Sequence, residues 1–98
     1  MSSYKDLVSG DTPVLVDFSA EWCQPCQMLK PILKEVASAM GEKVKIIKID
    51  VDKNPQLAGQ LGIQGGPTMI LYKNGASVWR QSGVMPAHQL MAVIESHS

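Results

Sequence analysis

With 98 residues, 45% of them hydrophobic and 18% charged, the chain has room for one domain around one core; it is too apolar for disorder and too interrupted for a membrane span. Nine basic residues balance nine acidic ones, so no net field is available to gather nucleic acid, anionic lipid or strongly charged substrates. The expectation is a monomeric single domain, residues 1–98, that binds neither nucleic acid nor membrane and holds no large cofactor of its own.

The chain opens Met1-Ser2-Ser3-Tyr4-Lys5-Asp6, with neither the basic cluster nor the apolar stretch of an export signal, which points to the cytoplasm. Tyr4 to Ser9 reads as a short helix, and Gly10-Asp11-Thr12-Pro13 breaks it. The apolar run Val14-Leu15-Val16-Asp17-Phe18 is a candidate buried strand. From Cys23 to Met40 apolar residues fall at Met28, Leu29, Ile32, Leu33, Val36, Ala37 and Met40, one face at helical period ended by Gly41. Pro31 lies inside this helix and is expected to kink it, because its ring meets the Gln27 carbonyl and it has no amide hydrogen.

Val44 to Val51 reads as a second strand, and Asn54-Pro55 opens a short helix toward Leu61, so strand, helix and strand imply a parallel crossover. Thr68 to Tyr72 and Ser77 to Gln81 flank Asn74-Gly75, a pair suited to the positive φ values of a tight hairpin. A closing helix starts near Pro86 and presents Leu90, Met91, Val93 and Ile94 to the sheet. The expected order is αβαβαββα, an α/β fold.

The chemistry centres on Trp22-Cys23-Gln24-Pro25-Cys26, where the first strand ends and the long helix begins. Residues three apart on a helix carry neighbouring side chains within reach of a disulfide, so the two sulfurs can join reversibly with little backbone movement. Unpaired amides and the helix dipole favour an anion at this end, which stabilises the Cys23 thiolate; an unperturbed thiol is only about 3% ionised at pH 7. Cys23 is expected to be the exposed attacking thiolate and Cys26, one turn inside, the more buried resolving thiol, since exchange takes two attacks, one by each sulfur. Pro25 fits the first turn, where an amide hydrogen is not needed.

Other readings of the pair carry less. Structural zinc needs four ligands, and His88 and His97 lack the usual spacing beside only two cysteines, so no metal is expected. Inert buried thiols remain open for a bare C-x-x-C, though its place at a strand-to-helix junction argues for reactivity.

Taken together, Val14 to Phe18, Ala20 to Cys26, Pro31, Asp52-Lys53-Asn54-Pro55, Pro67-Thr68 and Lys73-Asn74-Gly75 resemble the thioredoxin family in the right order, from about Pro13 to the C-terminus. The resemblance implies a mixed central sheet flanked by helices and reduction of protein disulfides. It also implies recycling by a flavin-dependent thioredoxin reductase, to which FAD and NADPH would belong. By family position Asp17 is a buried proton carrier for the resolving thiol and Lys48 tunes its charge. Independently, a carboxylate inside an apolar strand should have its pKa raised by desolvation. Trp22, Gln24, Pro25, Gly66, a cis Pro67 and Gly83 would form the substrate surface, the backbone before Pro67 pairing with an extended substrate segment. Trp79 is expected to pack.

The sequence departs from the family pattern at three positions. Gln24 stands for a usual glycine, Gly66 for a usual apolar residue, with a looser groove expected, and Ser19 for a common aromatic. Only about a dozen residues precede the first strand, too few for the family's first strand and helix, so a four-stranded sheet is predicted. Besides a general reductant, the sequence admits a reductase dedicated to one partner, a noncatalytic module, and an oxidase or isomerase. The uncharged Gln24-Pro25 disfavours the last.

Overall fold

The computed structural model describes residues 3–98. In chain order these residues form α1 (Tyr4–Leu7), β1 (Val14–Ser19), α2 (Gln24–Met40), a 3₁₀ turn (Gly41–Lys43), β2 (Lys45–Asp50), α3 (Pro55–Gln60), β3 (Thr68–Lys73), β4 (Ala76–Ser82) and α4 (Ala87–Ser96). The predicted elements are all present with ends shifted by one or two residues, and the 3₁₀ turn is the unexpected addition. Among the described residues the sheet has four strands, in the order β2-β1-β3-β4, as the short N-terminal segment implied.

β1 and β2 run parallel because α2 carries the chain back between them. β1 and β3 are antiparallel, and so are β3 and β4. The last pair is joined at Asn74-Gly75, whose φ values of 53° and 80° give the tight turn that matches the twist of the flanking strands. The inner strands β1 and β3 are buried almost throughout, whereas of the two edges β2 is half-buried and β4 exposed.

Alternation along β1 divides the core. Leu15 faces α2 and α4 and packs with Leu29, Leu33, Val36, Met69, Leu90 and Ile94, with Trp79 against their rim as expected. Val14, Val16 and Phe18 face the other way, toward Ile70, Tyr72 and the side chains of α1 and α3. Each large aliphatic side chain taken wholly out of water contributes about 1.5–3 kcal/mol, so these two layers hold the sheet between its helices. In α2 the buried residues are Cys26, Leu29, Leu33, Val36 and Met40, a single stripe that places Cys26 on the face turned to the core. The chain stays helical on both sides of Pro31.

The short helix α1 is held from outside itself. Tyr4 donates to the Tyr72 hydroxyl at 2.7 Å, stands edge-on to that ring with centroids 5.8 Å apart, and lies 6.2 Å from the Phe18 ring. Burial and this hydrogen bond push the Tyr4 phenol upward, so it remains a neutral donor at any working pH. Tyr4→Ala is expected to lower stability by about 2–3 kcal/mol in urea unfolding, through lost ring contacts and an unpaired Tyr72 hydroxyl, while leaving the rate of disulfide exchange unchanged.

Candidate active site

β1 is paired on both sides and buried, so its end is a fixed point, and the chain turns from it into α2 within five residues. Cys23 is the N-cap of α2, in extended conformation (φ −89°, ψ 112°), and its sulfur accepts the Cys26 amide at 3.2 Å. Pro25 occupies the first turn, where its missing amide hydrogen leaves no acceptor unserved. Cys23 and Cys26 are joined as a disulfide with Cα atoms 5.2 Å apart, inside the ordinary range. In the reduced protein the same geometry aims an amide and the positive end of a helix at the Cys23 sulfur, which favours its thiolate.

Cys23 retains 5% of its surface and Cys26 1%. The order agrees with the sequence reading, but Cys23 is far more covered than the exposed attacking sulfur expected from it. The cover comes from Ala20, Val51 and the loop before Pro67. What remains open is a cavity of about 280 Å³ lined by Ala20, Trp22, Cys23, Val51 and Ile63 to Gly66; Cys23 borders it and Cys26 does not.

The opposing wall belongs to the start of β3. The Gly66-Pro67 peptide bond is cis and Pro67 is buried. Gly83, at φ +95°, donates its amide to the Pro67 carbonyl at 2.8 Å, and the Thr68 hydroxyl donates to the Gly65 carbonyl at 3.2 Å. Gly66 does not leave the gap the sequence suggested. A Cβ there would lie 2.7 Å from the Cys26 sulfur and 3.2 Å from that of Cys23, so the backbone is drawn against the disulfide into space a side chain would need. Among the described residues neither backbone group of Gly66 enters a hydrogen bond, which leaves both free for an incoming strand.

Trp22 is 72% exposed and therefore not a core residue; its indole nitrogen donates to the Asp52 carboxylate at 2.7 Å, which fixes the ring beside Cys23. Gln24 and Pro25 are exposed on the same surface. Among the described residues no group of three or more His, Cys, Asp or Glu side chains gathers as a metal site would require.

Asp17 lies on the β1 face covered by α2, 1% exposed, and its Oδ1 has no hydrogen-bond partner among the described residues. Burial pushes its carboxyl up from 3.8 to about 6, against the opposing pull of the positive charges of Lys48 and Lys30. Lys48 stands directly opposite Asp17 in the β1–β2 register, beside the carboxylate as the family resemblance implied. Lys30 escaped the sequence reading; the available signal was its place four residues after Cys26, one turn along the same helix. Asp52 was also missed as a partner, since nothing in the spacing ties it to Trp22. Ser19 lies with Gln27, Lys30, Lys48 and Asp50 in a polar cleft of about 210 Å³.

A cysteine pair that caps a helix, with a carboxylate of raised pKa in the adjoining strand and a cis proline across the sulfurs, is equipped for one reaction class, reversible dithiol–disulfide exchange. Comparison with known proteins gives the lineage. The thioredoxin family model matches residues 1–96. A thioredoxin of Alicyclobacillus acidocaldarius subsp. acidocaldarius is 45% identical over 91 residues, 93% of this chain and 87% of the relative. Chloroplastic thioredoxin Y of Oryza sativa subsp. japonica is 45% identical over 96 residues, covering 97% of this chain and 57% of that longer protein. Among solved structures, chloroplastic thioredoxin z is similar with a TM-score of 0.83 and 42% identity, over 89% of this chain and 79% of that one. The chain belongs to the thioredoxin family, whose members are disulfide oxidoreductases.

The raised value at Asp17 carries a consequence for stability. Folded protein holds a proton that the unfolded chain releases between about pH 4 and pH 6, so this group's contribution is full below about pH 4 and is lost as pH rises through 6. A shift from 3.8 to about 6 corresponds to about 3 kcal/mol. Relative to wild type, Asp17→Asn should be similar in stability at pH 4 and more stable by about 2–3 kcal/mol at pH 7.5, measured by urea unfolding of the oxidised forms. A difference independent of pH would remove the buried charge as its cause.

Proposed function

We propose that this chain reduces protein disulfides as a general electron carrier, acting as a monomeric single domain in a reducing compartment, the cytoplasm. The observation that carries the reading is the asymmetry of the pair, since Cys23 alone faces an open cavity while Cys26 is sealed behind it. The Cys23 thiolate attacks one sulfur of a substrate disulfide, forming a mixed disulfide and releasing the other substrate sulfur as a thiolate that takes up a proton. Asp17 then accepts the Cys26 proton, directly or through water, and the Cys26 thiolate attacks the Cys23 sulfur. The second substrate thiolate leaves, and the substrate is reduced by two electrons while the Cys23–Cys26 disulfide forms.

A carboxyl near pH 6 suits the role given to Asp17, because it can both take and return a proton around neutrality. Lys48 holds that value down from where burial alone would set it. The free Gly66 backbone pairs with an extended substrate segment, Trp22, Gln24 and Pro25 supply the neighbouring contact area, and Gly83 supports Pro67 from behind. Gln24-Pro25 adds no positive charge beside Cys23, which favours a reductant over an oxidant. Recycling falls to a thioredoxin reductase carrying FAD and drawing on NADPH; the carrier itself uses no bound cofactor.

The test is NADPH-coupled reduction of insulin in the presence of such a reductase. Wild type should sustain turnover, Cys23→Ser should abolish it, and Cys26→Ser should accumulate the mixed disulfide. In the reduced protein at neutral pH, iodoacetamide should modify Cys23 at least about tenfold faster than Cys26. Slow insulin reduction beside fast reduction of a single cellular partner would replace the general carrier by a dedicated one. Undiminished cellular function of Cys23→Ser would replace both by a binding module.

A further inference from the structure

The cavity beside Cys23 is walled by Ile63, Gln64, Gly65 and Gly66, a stretch with little of its own to fix it. Gly65 sits at φ +151° and neither glycine has a side chain to pack. Order must therefore be imposed from the two ends. At the far end Thr68 holds the Gly65 carbonyl and Gly83 holds that of Pro67. At the near end the loop grows out of α3.

α3 finishes in a glycine cap. Gly62 is left-handed at φ +67°, the Ile63 amide returns to the Ala58 carbonyl at 2.9 Å, and the Gly62 amide returns to the Gly59 carbonyl at 3.2 Å. These two bonds serve carbonyls inside the last turn and leave those of Leu61 and Gly62 pointing past it. α3 has no basic residue in its last turn, so it brings no charge of its own to its negative end. The charge comes from Arg80 of β4. Its guanidinium donates through one terminal nitrogen to the Leu61 carbonyl at 2.5 Å and through the other to the Gly62 carbonyl at 3.0 Å. Arg80 is paired with Ile70 in the β3–β4 ladder, two residues beyond Thr68, so the clamp is mounted on the same pair of strands that carries Pro67.

We propose that Arg80 is a positioning residue for substrate recognition, holding the Leu61 and Gly62 carbonyls so that the loop from Ile63 to Gly66 keeps its place beside Cys23. The proposal rests on the reading of the chain as a protein-disulfide reductase. Arg80 is exposed and fills no part of the core, so its contribution falls on the order of this loop. A lysine in its place offers a point charge and cannot span both carbonyls as a planar fork does.

Arg80→Met and Arg80→Lys test this with dithiothreitol as electron donor, which removes any reductase from the comparison. Two oxidants are used, insulin and hydroxyethyl disulfide, the latter too small to lie along the loop. Arg80→Met should raise KM for insulin by about fivefold, the size expected for a lost hydrogen-bonded clamp, with kcat nearly unchanged. Its rate with hydroxyethyl disulfide and its Cys23 alkylation rate should equal those of wild type. Hydrogen exchange at the Gly62 and Ile63 amides, whose bonds close the end of α3 beside the clamp, should quicken about fivefold in the oxidised variant, from the same loss of local order. Arg80→Lys should recover less than half of either effect. Full recovery by lysine would mean that a positive charge attracts substrate directly, and equal loss on both oxidants would place Arg80 in the thiol chemistry; either overturns the proposal, as does unchanged exchange at the Gly62 and Ile63 amides. Should wild type reduce neither oxidant, the reductase reading fails while the exchange measurement still decides the clamp.

Discussion

The hydrogen bond from the Cys26 amide to the Cys23 sulfur joins the fold to its chemistry, because the atom that caps α2 is also the atom that exchanges electrons. An N-cap oxygen from serine or aspartate would serve the helix equally well. Using a sulfur means that the stability of the first turn and the charge on the nucleophile are one quantity. Everything around the junction supports that atom. β1 is buried between two partners, Pro25 stiffens the first turn, and the Gly66 backbone lies so close to the sulfurs that a Cβ there would require them to shift.

Asp17 shows the opposite balance. Placed in an inner strand with an oxygen left unpartnered, its charge opposes folding at neutral pH, and the two lysines nearby offset only part of that cost. A neutral residue of the same shape would give a more stable protein. In the proposed mechanism its place is that of a proton acceptor for Cys26, a case of a local rule of burial broken where a reaction would use it.

Much of this was readable in advance because it is written in short-range pattern. The stripe from Cys26 to Met40 specifies the buried face of α2, Asn74-Gly75 specifies the hairpin, and the run from Val14 to Phe18 with Asp17 inside specifies a buried strand with one anomalous group. The parts that escaped depend on separation in sequence. Arg80 meets Leu61 and Gly62 across 18 or 19 residues, Trp22 meets Asp52 across 30, and no periodicity encodes either pairing. The covering of Cys23 was misjudged for the same reason, since the loop that covers it comes from the other side of the sheet. Gly66 was read for the contact it lacks, when the structure uses it for the approach it permits.

The antiparallel pairing of β1 with β3 has a consequence during synthesis. It brings together the half of the chain that bears the cysteines and the half that bears Pro67, so the reactive pair is complete before its wall exists. A nascent chain ending before β3 would carry both sulfurs without the loop and proline that lie against them in the folded protein. Because this contact is long in sequence, the wall over the sulfurs closes only when distant segments of the chain meet.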